Sequence, residues 1–328
     1  MASDKPQPTE SVSDEQIASI IRASFGSRAE VARCQPIRGG HCNTLYDIET
    51  LNPARHIVLR IAPHDSRSLA RPDRTTILAA PVVYDLMKRA GVPTPEVVAV
   101  DGSRSVIDRD YIITAYVDAV PMHDPSVPPD ARPLLMREVG RYMAQMHTIT
   151  GDRFGWIAPD GTVMGSESWA EVFGELLAET CEKNCEAGVL SDADAELVLG
   201  CYRNRRAVFE KCSPPVLVHN DIWDPNILVK QRNGEWHVEA IIDTDGALFA
   251  EREFEFALWD GADPDLLSGY GTPLDASPDA VLRRKFYRMQ LYMIYAWFYL
   301  VMKPNPGFQA SAKKIAMDVL QDLLVPQS

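Results

Sequence analysis

Apolar residues recur along this chain in two rhythms, and the change from one to the other divides it. Short alternating or apolar blocks of strand type cover Val31 to Ile37, Asn43 to Thr50, His56 to Ala62, Val97 to Asp101 and Tyr111 to Val117. Five such blocks predict a five-stranded sheet, expected to be antiparallel. Ahead of them Ser13-Asp-Glu-Gln16 is a capping-box signature opening an amphipathic helix through Ile17, Ile20, Ile21 and Phe25, and Gly26 ends it. Within the strand-rich part, Thr75 to Ala90 carries helical periodicity and stops at Gly91-Val-Pro-Thr-Pro95. Beyond the proline-rich stretch Pro121 to Pro133 the rhythm becomes helical. It covers Leu134 to Thr148, two patterns within 166–211, Ala280 to Met302 and Ala310 to Leu324. The chain therefore reads as α+β, with a sheet-bearing part at 1–117, a larger and mainly helical part at 118–328, and a polar, disordered start over residues 1–12.

One stretch interrupts the helical part. Val216-Leu-Val-His-Asn-Asp-Ile-Trp-Asp-Pro-Asn-Ile-Leu-Val229 sets His219, Asp221 and Asn226 between two apolar runs, and Val238-Glu-Ala-Ile-Ile-Asp-Thr-Asp245 follows as a further strand. Together they spell H-x-D-x-x-x-x-N and then I-D-x-D, the arrangement of a base and two magnesium ligands in phosphoryl transfer of the protein-kinase type. A hydroxyl attacking a terminal phosphoryl needs a carboxylate to orient it and take its proton, which is the role expected of Asp221. A triphosphate needs hard cations, which prefer oxygen ligands, and Asn226 and Asp243 supply an amide oxygen and a carboxylate for Mg²⁺. The step from Asp221 to Asn226 fits neither a strand face nor a helix and must be a folded loop, as Pro225 suggests, with His219 as its brace.

With these motifs the chain resembles the aminoglycoside phosphotransferase family, relatives of choline kinase and more distantly of protein kinases. The resemblance implies a two-lobed protein-kinase-like fold and an ATP- or GTP-dependent O-phosphotransferase. Arg38-Gly-Gly-His-Cys42 looks like the family's turn over the nucleotide, so that Arg38, Gly39 and Gly40 would face phosphates; taken alone, a Gly-Gly between strands is also an ordinary hairpin. Arg60 stands where a kinase has its phosphate-pairing lysine, and arginine clamps phosphate oxygens bidentately. The family's helix glutamate that pairs with this residue is missing, since the matching region reads Leu78-Ala-Ala-Pro81 and Asp85 comes too late. An adenine would bond the backbone near Ala115 to Val117. Gly140 to His147 matches the helix that precedes Phe154-Gly155, and Glu255 stands in the place of an aspartate that partners the catalytic region. Asp245, Glu255, Asp260 and Asp263 are candidate contacts for the acceptor, although a solvated acidic loop around Asp260, Asp263 and Asp265 is an equal reading.

Composition narrows the partners. A net charge of −13 argues against nucleic acid, which needs cations to replace its counterions, and suits a cationic small molecule. The polar amino terminus reads as lacking a signal peptide, and the apolar run Leu291 to Met302 is too short for a bilayer. The six cysteines show no paired C-x-x-C spacing and read as reduced thiols of a cytoplasmic protein, monomer or homodimer. No G-x-S-x-G or H-E-x-x-H supports hydrolysis. A protein kinase is disfavoured because Asp243 is followed by Thr-Asp rather than Phe-Gly. The acceptor is expected to be an antibiotic of the aminoglycoside, nucleoside or peptide type. The alternatives are a metabolite such as an amino alcohol or a sugar, or a catalytically silent nucleotide-binding module.

Overall fold

The computed structural model describes residues 11–37, 43–64, 77–259 and 263–325. In chain order these form α1 (Asp14–Phe25), β1 (Glu30–Pro36), β2 (Thr44–Leu51), β3 (Arg55–Ile61), α2 (Ala80–Arg89), β4 (Val97–Asp101), β5 (Tyr111–Ala115) and β6 (Val120–Pro121). Then follow α3 (Arg132–Met146), β7 (Phe154–Ile157), β8 (Val163–Ser166), α4 (Trp169–Glu186), α5 (Asp192–Arg205) and β9 (Val216–Val218). The chain continues through β10 (Ile227–Arg232), β11 (Glu235–Ile241), β12 (Leu248–Ala250), α6 (Pro264–Tyr270), α7 (Pro278–Val301) and α8 (Pro306–Leu324). These elements pack as two compact units. The first takes the chain up to Pro125 and adds Ile157–Thr162 and Asp224–Gly246; the second holds Ser126–Trp156, Val163–Trp223 and the chain from Ala247.

The first unit contains the expected five-stranded antiparallel sheet, in the order β1-β2-β3-β5-β4. Strand alternation decides which residues line its two faces. Ile57, Leu59 and Ile61 of β3 join Ile17, Ile20 and Ile21 of α1 in one apolar core. Arg60, between them in sequence, therefore points to the opposite face. The capping box forms as read, with the Ser13 hydroxyl accepting from Gln16 N–H and the Gln16 side chain accepting from Ser13 N–H. A boundary after Val117 falls inside this unit, because β6 pairs with β10 and draws the β10–β11 hairpin with it. That hairpin turns on Asn233-Gly234, both left-handed at φ +52° and +89°, the conformation that a two-residue turn between twisted strands requires. The described part of the helix expected over Thr75–Ala90 starts only at Ala80, with Pro81 in its first turn.

The second unit is mainly helical around an aromatic core. Trp169 and Phe173 of α4 meet Phe209, Phe254, and Phe286 and Tyr287 of α7 in edge-on and stacked pairs. Phe286 and Tyr287 are thus core residues. A short sheet, β8-β7-β12-β9, completes the unit and was not foreseen from the sequence. Helices α3 and α6 cross on glycines: a Cβ on Gly140 would lie 2.1 Å from the Leu266 carbonyl oxygen, and one on Gly269 2.0 Å from that of Arg137. No helix among the described residues is long and apolar enough to cross a membrane.

Candidate active site

In the first unit the chemistry gathers where β3 faces the end of β11. Asn226 ends a single 3-10 turn, Asp224–Asn226, and its carbonyl accepts from Ile242 N–H at 3.0 Å. That bond joins the start of β10 to the residue just before Asp243, so the two expected metal ligands come from adjacent backbone segments. Asp243 is left-handed, φ +69°, a conformation that aspartate tolerates better than most residues and that marks strain at functional positions. Its N–H donates to the Tyr84 hydroxyl of α2 at 3.1 Å, which holds the strained residue in place.

Arg60 reaches this corner from β3. One of its terminal nitrogens, Nη2, donates to Asp243 Oδ1 at 2.6 Å and to Asp245 Oδ2 at 2.8 Å. Asn43 Nδ2 donates to the same Asp245 oxygen at 2.9 Å. Burial opposes the charge on Arg60, but Asp245 and Asp243 outweigh it and hold the guanidinium above its ordinary pKa. Desolvation pushes Asp245 the other way from a typical ion-paired acid: its pKa is raised, with Arg60 only partly offsetting the loss of water. Tyr84, shielded in the same corner, is pushed up to about 12, first by burial.

These groups suit a hard divalent cation. The two expected ligands, Asn226 and Asp243, offer an amide oxygen and a carboxylate, with the Asp245 carboxylate adding negative charge beside them. The Asp243 side chain is 42% exposed, and Asp245 Oδ1 is buried among the described residues without a hydrogen-bond partner. No cluster of three acidic, histidine or cysteine side chains stands at metal-binding spacing among the described residues.

The second unit holds the other half of the loop. β9 ends at Val218, and the chain turns through His219, fully buried, and Asn220, left-handed at φ +62°. Glu255, with no exposed surface, clamps this turn by accepting from His219 N–H at 2.7 Å and from Asn220 N–H at 2.9 Å. Behind it His147, at the end of α3, lies 3.7 Å from Glu255 and shares a 2.8 Å hydrogen bond with the Tyr270 hydroxyl of α6. The glycine crossing of α3 and α6 is what lets those two residues meet. Asp221 follows the clamped turn directly. Its carboxylate is near enough to Tyr295 of α7 to add to burial in raising that phenol. Trp223, two positions on, is 39% exposed.

The structure thus brings Arg60, Asn226, Asp243 and Asp245 together in one unit and His219, Asp221 and Glu255 in the other. Arg38, Gly39, Gly40 and Asp260 lie outside the described residues. At the expected hinge, Ala115 N–H donates to the Glu96 carbonyl and Tyr116 N–H to that of His56. The residues named for the acceptor have other partners. Asp245 belongs to the Arg60 corner, Glu255 to the loop clamp, and Asp263 caps α6 by accepting from the N–H groups of Asp265 and Leu266. Asp265 itself pairs with Arg137 at 2.8 Å. Sequence reasoning passed over Tyr84 and Asn43, which sit in no motif; only the helical phase of Ala80, Val83, Tyr84 and Met87 marks Tyr84 as inward-facing.

The sequence profile of the phosphotransferase enzyme family matches residues 33–280. No curated protein matches the chain by sequence. Among solved structures, aminoglycoside phosphotransferase APH(4)-Ia superposes with a TM-score of 0.67 at 18% identity, covering 96% of this chain and 100% of that one. A thermostable mutant of that protein, in ternary complex with AMP-PNP and hygromycin B, gives a TM-score of 0.66 at 18% identity, covering 95% and 100%. A putative fructosamine-3-kinase from Thermobifida fusca YX-ER1 gives 0.65 at 21% identity, covering 93% and 98%. At these identities the likeness establishes the fold, which is α+β and protein-kinase-like.

Proposed function

The chain belongs to the phosphotransferase enzyme family, which makes it a phosphotransferase for small-molecule hydroxyl groups, and from that premise we propose that it carries the terminal phosphoryl of ATP or GTP to such a hydroxyl with Asp221 as base. The observation that carries this reading is the Glu255 clamp. A buried carboxylate spending both oxygens on the backbone of His219 and Asn220 fixes the residue before Asp221, which is what a base aimed at a hydroxyl requires. Asp221 orients the acceptor hydroxyl and takes its proton as the oxygen attacks. Arg60 holds phosphate oxygens, and Val117 is the hinge position we assign to the nucleotide base. Asn226 and Asp243 would hold Mg²⁺, which when bound neutralises the triphosphate.

For the acceptor, the aminoglycoside in one neighbour's complex makes an antibiotic the first class to test, and the fructosamine-3-kinase likeness makes a sugar-derived metabolite the second. The test is a mass-shift assay of the purified protein with Mg²⁺ and ATP or GTP against aminoglycosides, nucleoside and peptide antibiotics, amino alcohols and glycated amines. Gain of one phosphoryl mass on one class supports the reading and names the acceptor. Nucleotide binding with no transfer to any class counts for a silent nucleotide-binding module instead.

A further inference from the structure

The helix acid that should pair with Arg60 is missing, and α2 offers no replacement. Its first turn carries no acidic residue, and Asp85 is turned outward into an ion pair with Arg89 one helical turn on. What α2 sends to the corner is the Tyr84 hydroxyl, and that accepts from Asp243 rather than from Arg60. Yet Arg60 is 7% exposed, and burying a guanidinium without a fixed partner is strongly disfavoured. It is held by Asp243 at 2.6 Å and by Asp245 at 2.8 Å, and Asp245 is itself held by Asn43 on the oxygen that Arg60 bonds.

We infer that Asp245, anchored by Asn43, is the positioning residue for Arg60, taking over the task of the absent helix glutamate and keeping the guanidinium from closing wholly on the metal-binding Asp243. The inference rests on the proposed roles of Arg60 and Asp243. Charge counting gives its logic. Two carboxylates and one guanidinium leave a net negative corner, able to take a divalent cation. With Asp245 neutral, Arg60 would cancel Asp243 alone and compete with the cation for it. Asp245 in this role supports Arg60 and is not a contact for the acceptor.

The experiment is calorimetric titration of ATP into the full chain at stepped Mg²⁺ concentrations. It compares the wild type with Asp245→Asn, Arg60→Met, the double variant and Asn43→Ala. The Mg²⁺ needed for half-maximal nucleotide binding should rise about tenfold in Asp245→Asn, the scale seen when a group supporting a metal ligand is lost. In the Arg60→Met background the same change should have no effect, because its route runs through Arg60. Asn43→Ala, which leaves every charge in place, should move the requirement the same way by about threefold. An equal rise in both backgrounds would mean that Asp245 acts on the cation directly, and no rise would mean that it positions nothing; either overturns the inference. If Asp245→Asn does not fold, an unchanged Mg²⁺ requirement in Asn43→Ala overturns it alone. A wild-type chain that binds no nucleotide at any Mg²⁺ concentration would fail earlier, removing the proposed site and the inference with it.

Discussion

The Arg60 corner and the Glu255 clamp are both built on acidic side chains, and they are built in opposite ways. At the Arg60 corner the acids face a side-chain cation, sit partly open to solvent, and leave one oxygen, Asp245 Oδ1, without a partner among the described residues. Those are bonds between charges, which can be exchanged for bonds to a cation and to phosphate. At the clamp, Glu255 is sealed from solvent and bonds only to backbone N–H groups on the loop side, with His147 and Tyr270 packed behind it. Nothing in a catalytic cycle would replace those bonds. On the proposed roles, the groups that hand over a ligand are paired by charge, whereas the group that holds the loop is fixed by the main chain.

That contrast can be broken at several points. The largest effect is expected at Asp221: Asp221→Asn should lower phosphoryl transfer by about 10²–10⁴-fold, the range for removing a general base, while the melting temperature stays near that of the wild type. Next comes Glu255→Gln. It keeps one acceptor oxygen but turns an amide NH₂ towards a backbone N–H, so denaturant unfolding should show a loss of about 2–3 kcal/mol. If stability were unchanged, the clamp would not be the fixed half of the comparison. The smallest effect is at Tyr84. Tyr84→Phe leaves the Asp243 N–H without its acceptor, at about 1 kcal/mol. It also changes the alkaline limb of stability. The Tyr84 pKa is raised from 10.0 to about 12 by burial, so its contribution is intact below pH 10 and is lost as the pH climbs through about 12. Thermal melts from pH 9 to 12 should therefore show wild type and Tyr84→Phe converging as the pH rises. A difference that does not depend on pH would remove Tyr84 from the titrating groups.

What the sequence made legible follows from the kind of signal each feature leaves. The five strands of the first sheet and the capped α1 were readable because period-2 runs and a Ser-x-x-Gln box are local. The H-x-D-x-x-x-x-N stretch was readable because its residues are fixed by a single loop. β7, β8 and β12 were not, since strands of three or four residues carry too few positions to show alternation, and β12 forms only by pairing with chain distant in sequence. The same applies to the partner of Arg60. The sequence shows that the helix acid is absent, but the replacement comes from Asp245, nearly two hundred positions away, held by an asparagine at the start of β2. Asp245 was read as an acceptor contact, and Glu255 both as one and as a partner of the catalytic region, because exposed acid and buried acid look alike in a sequence. Only the fold distinguishes a carboxylate facing solvent from one facing the backbone of its own loop.

The most direct measurement compares wild type and Asp221→Asn in the same preparation, reading phosphoryl transfer by mass and Mg²⁺-nucleotide affinity by calorimetry. The account predicts that transfer collapses while nucleotide affinity stays within about twofold, because Asp221 serves the hydroxyl and not the triphosphate. Full transfer by the variant would contradict the assignment of the base, and a joint loss of transfer and nucleotide binding would contradict the division of labour between the two regions.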